Sequence, residues 1–175
     1  MIVRRRTDED IPGCVRTLEL VHALNGYPTR WPANPAAWLR PDGCEAAWVV
    51  ADMQQPDTII GHACVIRGVD DPVAASLTGA TPDHLASVSR LFVAPAARGR
   101  GLGATLLAAL SSWSAERGLH LMLDVVDDGG PAVALYERLG WRLVDQRLSD
   151  WVTAQGERLP MRSYLAPEND RRGPK

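Results

Sequence analysis

Cysteine is scarce: the 175-residue chain has three, Cys14, Cys44 and Cys64. The count is odd and no C-x-x-C pair occurs, which argues against a zinc site or a disulfide framework and for free thiols in a reducing compartment. No metal is expected, and the expected location is the cytoplasm. A surplus of charge is lacking too. The net charge of −2 supplies no basic field for nucleic acid or an anionic membrane. No apolar run approaches the ~20 residues that span a bilayer, and the opening MIVRRRTDED lacks the apolar core of a signal peptide. There is no internal repeat and no low-complexity tract.

What remains is an ordinary globular balance, with 46% hydrophobic and 23% charged residues. One domain over residues 1–166, followed by a polar tail at 167–175, accounts for the length. The pattern alternates strands and helices. Ile2–Arg6 reads as a strand. Thr7 and Asp10 read as a capping pair, with Asp in the usual Glu position, and a helix then runs to Asn25-Gly26. Tyr27–Asp42 is broken by Pro28, Pro32 and Pro35 and leaves room only for a short helix from Asn34-Pro35 to Leu39. Ala46–Ala51 and Ile59–Ile66 read as an antiparallel pair. Asp70–Pro82 reads as a loop and Leu85–Val93 as the next strand. A helix over Gly101–Gly118, a buried strand over Leu119–Val126 and a helix opened by Pro131 follow. Trp141–Arg147 and Leu159–Leu165 close the order.

The chemistry is concentrated in one loop. A strand ends at Val93, Pro95 blocks its continuation, and Arg98-Gly99-Arg100-Gly101-Leu102-Gly103-Ala104 opens a helix. The first N–H groups of a helix have no internal partner and attract an anion. Gly99, Gly101 and Gly103 remove the side chains that would hold a pyrophosphate away, and Arg98 and Arg100 add cationic donors. Gly99-x-Gly101-x-x-Ala104 also satisfies the dinucleotide pattern, with Asp124 about 20 residues on in the ribose-binding position. Against that alternative, Pro95–Arg98 separates the strand from the first glycine, and little chain remains for a second half.

Leu91–Ala104 resembles the acyl-CoA signature of the GNAT-type N-acetyltransferases, R/Q-x-x-G-x-G/A, with Arg98, Gly101 and Gly103 in its fixed positions. Leu91, Val93 and Pro95 match the upstream L-x-V-x-P. Ala134-Leu135-Tyr136-Glu137-Arg138-Leu139-Gly140-Trp141 resembles the family's A-x-Y-E-x-x-G-F element, with Trp for Phe. The resemblance is strongest over Ser87–Val144. It implies an α/β fold: a mixed, mostly antiparallel sheet, flanked by helices, in which one parallel central pair splays apart.

It also implies a function, the transfer of an acetyl group from acetyl-CoA to a primary amine in a ternary complex. The backbone of Leu91, Phe92 and Val93 would pair with the pantetheine arm as an added strand does. Arg98, Gly99, Arg100, Gly101, Leu102, Gly103 and Ala104 would hold the pyrophosphate. Tyr136 would protonate the leaving thiolate, since a phenol keeps its proton at neutral pH. Gly129 stands where the family often has an asparagine that contacts the arm. No carboxylate lies in Ser87-Val88-Ser89-Arg90, so the base falls to Asp124, Glu45, His62 or His84, with Asp124 the first candidate and His62 read as a packed core histidine. Tyr27, Trp31 and Trp38 are candidates for the acceptor pocket, whose amine, on a small molecule or a protein, has no sequence signature. Members of the family often pair through their late strands, here Trp141–Leu165. A non-catalytic acyl-CoA sensor is the alternative that the missing strand carboxylate and Gly129 leave open.

Overall fold

A computed structural model describes residues 1–55, 57–153 and 155–167. Seven strands form one sheet: β1 (Ile2–Arg5), β2 (Cys44–Ala51), β3 (Ile59–Arg67), β4 (Leu85–Val93), β5 (His120–Val126), β6 (Arg142–Leu148) and β7 (Pro160–Leu165). Their spatial order is β1-β2-β3-β4-β5-β7-β6. Only β4 and β5 run parallel, and every other neighbouring pair is antiparallel. This is the sheet expected of the acetyltransferase resemblance. It is not the parallel, doubly wound sheet that the dinucleotide alternative requires.

Among the described residues five α-helices cover the sheet: α1 (Ile11–Asn25), α2 (Pro35–Trp38), α3 (Pro72–Thr78), α4 (Leu102–Glu116) and α5 (Pro131–Arg138). Asp10 stabilises the approach to α1. Its carboxylate accepts from the Thr7 N–H at 2.7 Å and from both Arg4 terminal nitrogens at 2.7 and 2.6 Å. The Arg4 hydrogen bond, ahead of the opposing effect of burial, holds this carboxyl below its ordinary range. Helix α3 corrects the reading of Asp70–Pro82 as a loop. The Asp71 side chain caps it by accepting from the Ala74 N–H at 2.8 Å, Pro72 occupies the first turn, and Gly79 ends it at φ +68°. Of the expected tail, Pro167 is exposed and residues 168–175 lie outside the described residues.

Alternation along the strands sorts the core onto two faces. One face carries Trp48, Val50, Val65 and Val88 against Leu106, Leu107 and Leu110 of α4 and Tyr136 of α5. On the other, Val49, Ile59 and Phe92 pack against Leu18 of α1 and Leu39, just after α2. Leu85 and Met122 continue that second face under Ala74 of α3. No helix of the described residues is long and apolar enough to cross a membrane.

Candidate active site

The parallel contact between β4 and β5 is short. It covers Leu85, Ala86 and Ser87 against His120, Leu121 and Met122, and there it stops. Beyond Ser87, β4 stays with β3 while β5 turns to pair with β7. The two strands part like a fork. A bulge sits in the departing arm: β3 keeps step from Cys64 to His62 while β4 advances from Ser89 to Phe92. Arg90 occupies the bulge at φ +51°, a left-handed conformation uncommon for a residue other than glycine.

The bulge is held from several directions. His62 is fully buried. Its Nδ1 lies 2.9 Å from the Arg90 carbonyl and its Nε2 2.8 Å from Arg6 Nη1. A guanidinium only donates, so Nε2 accepts and Nδ1–H donates to the carbonyl. Burial pushes this imidazole down to about 3, and its one lone pair is already engaged. The His62 ring therefore positions Arg90 and Arg6, in keeping with the core histidine expected from the sequence.

The register of β4 decides which backbone groups face the fork. Ala94 N–H donates to the Ile60 carbonyl at 2.7 Å, and the Phe92 carbonyl crowds Gly61, so both residues point their polar groups at β3. By alternation Leu91 and Val93 turn theirs into the fork. Of the three residues expected to meet the pantetheine arm, Phe92 instead spends its backbone on β3 and buries its ring on His62 at 5.4 Å.

Past β4 the chain makes a turn at Pro95–Ala97 and enters α4 through Gly99 and Gly101, both at φ +75°. Gly101 is the residue that caps the helix, and its carbonyl accepts from the Thr105 N–H at 3.0 Å. From Gly99 to Ala104 no N–H group donates to another backbone group of the described residues. Gly103 abuts α5, where an added Cβ would stand 3.2 Å from Leu135 Cδ2. Arg98 and Arg100 are exposed, and neither pairs with a carboxylate among the described residues. The result is a cradle of free donors with two cations on its rim, the chemistry that holds a pyrophosphate. Gly129, at φ +68°, lies in the exposed turn before α5 and offers backbone alone.

Tyr136 is buried in the core between Trp141 and Tyr164, with ring centroids 6.0 and 5.9 Å away. Burial alone pushes its phenol above the ordinary value, no charge or hydrogen bond contributing. Tyr27, on the α1–α2 side, is also pushed up, by burial first and then by the field of Tyr136. The two phenols belong to the cores on opposite faces of the sheet. Tyr27 meets Trp38 edge-on at 6.1 Å, and the Arg90 guanidinium lies 4.7 Å from the Trp38 ring centre. Trp31 packs on His22 instead and lines a shallow hollow with Glu19 and Ala23.

The remaining base candidates disperse. His84 is exposed before the start of β4 and bonds Thr81, while Glu45 is exposed 4.0 Å from Arg67. Asp124 lies on the α1–α3 face of β5. Its Oδ1 accepts from Ser163 Oγ at 2.5 Å and its Oδ2 pairs with Arg147 at 2.8 Å. Arg6, Ser89 and Arg90 belong to no motif that marks them in the sequence. The signal available for Arg90 was a lone guanidinium inside an otherwise uncharged strand.

Known proteins share this fold. The streptothricin acetyltransferase of Streptomyces lavendulae is 29% identical over 108 residues, which cover 59% of this chain and 57% of that enzyme, so the chain spans under two thirds of this relative's length. NAA60 of Arabidopsis thaliana, solved with a bisubstrate analogue, superposes with a TM-score of 0.72 at 20% identity over 94% of this chain and 97% of its own. The yncA protein of Salmonella typhimurium, solved with its cofactor acetyl-CoA, superposes with a TM-score of 0.68 at 19% identity over 99% and 97%. The model of the acetyltransferase (GNAT) family matches residues 15–141, and the chain belongs to that family of enzymes.

Proposed function

We propose that this acetyltransferase moves the acetyl group of acetyl-CoA to a primary amine by direct attack within a ternary complex. The observation that carries the reading is the fork. It opens beside the free N–H groups of Gly99–Ala104, and a buried phenol stands on one face of it.

The cradle, with Arg98 and Arg100, takes the pyrophosphate, and Leu91 and Val93 pair with the amide-bearing arm. That seating brings the thioester between the sheet faces. The amine enters from the side of Tyr27 and Trp38. Its nitrogen attacks the thioester carbonyl, the carbon–sulfur bond breaks, and the departing thiolate takes the Tyr136 proton. The proton lost by the amine passes to Asp124 or directly to water. Holding both reactants in one cleft supplies much of the rate.

Acetyl-CoA should raise the melting temperature, whereas NAD and NADP should leave it unchanged. A panel of primary amines should then release CoA thiol. A shift with a dinucleotide alone would overturn the reading. The reading extends to self-association along β6, the sheet edge that exposes Leu143 and Leu148, and sedimentation at micromolar concentration tests it.

A further inference from the structure

We infer that the acceptor is an amine that also carries a carboxylate, an amino acid or a molecule of that build, held between Arg90 on one bank of the fork and Asp124 on the other. The inference rests on the proposed transfer reaction. The register places the two banks. Ser87 faces Met122 in the last parallel pair, so one pleat further along come Ser89 on β4 and Asp124 on β5, on the same face, where the strands part.

The β4 bank is cationic. Arg90 follows Ser89 in the bulge, donates to the Trp38 carbonyl at 2.8 Å and to Ser89 Oγ at 2.5 Å, and stacks on Trp38. Arg6 stands behind it, bonded to the Leu39 carbonyl and to His62. Neither has a carboxylate partner among the described residues, although Arg4, Arg147 and Arg162 all do. Both guanidiniums are half-buried. Withdrawing a cation from water is costly without a counter-charge, and each of these two retains N–H donors without a hydrogen-bond partner among the described residues. A guanidinium fork presents those donors in the geometry that suits a carboxylate.

The β5 bank is anionic. Asp71, Asp124 and Asp145 gather round the single guanidinium of Arg147 at 3.7, 2.8 and 2.9 Å. Negative charge is in excess there, and Asp124 is the most exposed of the three, at 38% against 9% and 29%. A carboxylate has about four lone-pair positions, so Asp124 can take an ammonium as well as Ser163 and Arg147. The Tyr27 and Trp38 rings offer an apolar wall beside Arg90. A polycation without an anionic group would set a like charge against Arg90 and leave both guanidiniums unmatched.

The test compares matched acceptors on the full chain: L-amino acids, their carboxamides, the corresponding decarboxylated amines, and spermidine, with CoA thiol release as the readout. Free acids should show at least tenfold higher kcat/KM than their carboxamides. Arg90→Lys and Arg90→Gln should raise KM for the acids tenfold or more and move KM for the carboxamides much less. Carboxamides or spermidine used as well as the acids would overturn the proposal and leave the transfer reaction standing. The wild-type comparison does not depend on whether either variant folds. If no amine releases thiol, calorimetry of the same acids and carboxamides on the CoA-saturated protein separates the two readings. Preferential binding of the acids upholds the acceptor site without transfer, and equal or absent binding sinks both.

Discussion

Tyr136 and His62 are both buried, and burial acts on the two in different ways. A phenol pushed upward stays a proton donor throughout the neutral and alkaline range. Tyr136→Phe should therefore lower kcat by about 10²-fold or more, the usual worth of a placed general acid. Steady-state assays should show this loss while calorimetry finds acetyl-CoA affinity within about twofold of wild type. For His62 the consequence is acid lability. Its imidazole is pushed down to about 3 from an ordinary 6.5. Between those values the unfolded chain binds a proton that the folded chain does not, so the stabilisation is complete above about pH 6.5 and drains away as pH falls towards 3. Urea midpoints measured from pH 7 to pH 4 should fall accordingly. His62→Gln should start less stable at pH 7 and show a shallower decline.

At the scale of elements, the junction of β4 and α4 does most to shape the donor side. The strand must lose its neighbour, bulge, and deliver the chain to a helix whose first N–H groups stay free. Gly101 makes the last step at φ +75°, where a Cβ costs about 1–2 kcal/mol. Gly101→Val should therefore lower stability by roughly that amount and raise KM for acetyl-CoA about tenfold or more. Thermal melts and initial rates separate the two effects. Much of this junction was legible from the residues because it is contiguous: proline, glycines and arginines follow one another along the chain. Helix α3 was legible on the same terms, with Asp71-Pro72 to open it and Gly79 to close it. Its few residues nonetheless carry too short an apolar stripe to register as a period, so the sequence suggests a loop there.

Across the whole molecule, the fork divides a sheet packed on both faces, so donor binding should report on global stability. At a concentration of 100 times its Kd, acetyl-CoA should stabilise the fold by about 2.7 kcal/mol, seen as a raised melting temperature that grows with ligand concentration. Leu106 lies at the other extreme, fully buried between α4 and the sheet. Leu106→Ala should cost ~2–5 kcal/mol in denaturant unfolding, and saturating acetyl-CoA should restore part of that loss.

By itself, the sequence determined the glycine-rich loop and the helix proposed for the donor side. A phosphate cradle needs neighbouring residues and one helix start, and the Tyr136 element lies on a helix of its own with a recognisable pattern. The side proposed for the acceptor was decided only by the tertiary structure. Arg6, His62 and Arg90 meet there from three strands or their ends, Trp38 comes from a short helix, and Asp124 and Arg147 are joined through the sheet order that sets β7 between β5 and β6. No spacing along the chain encodes such meetings. Each depends on a strand register and, for Arg90, on the bulge in β4.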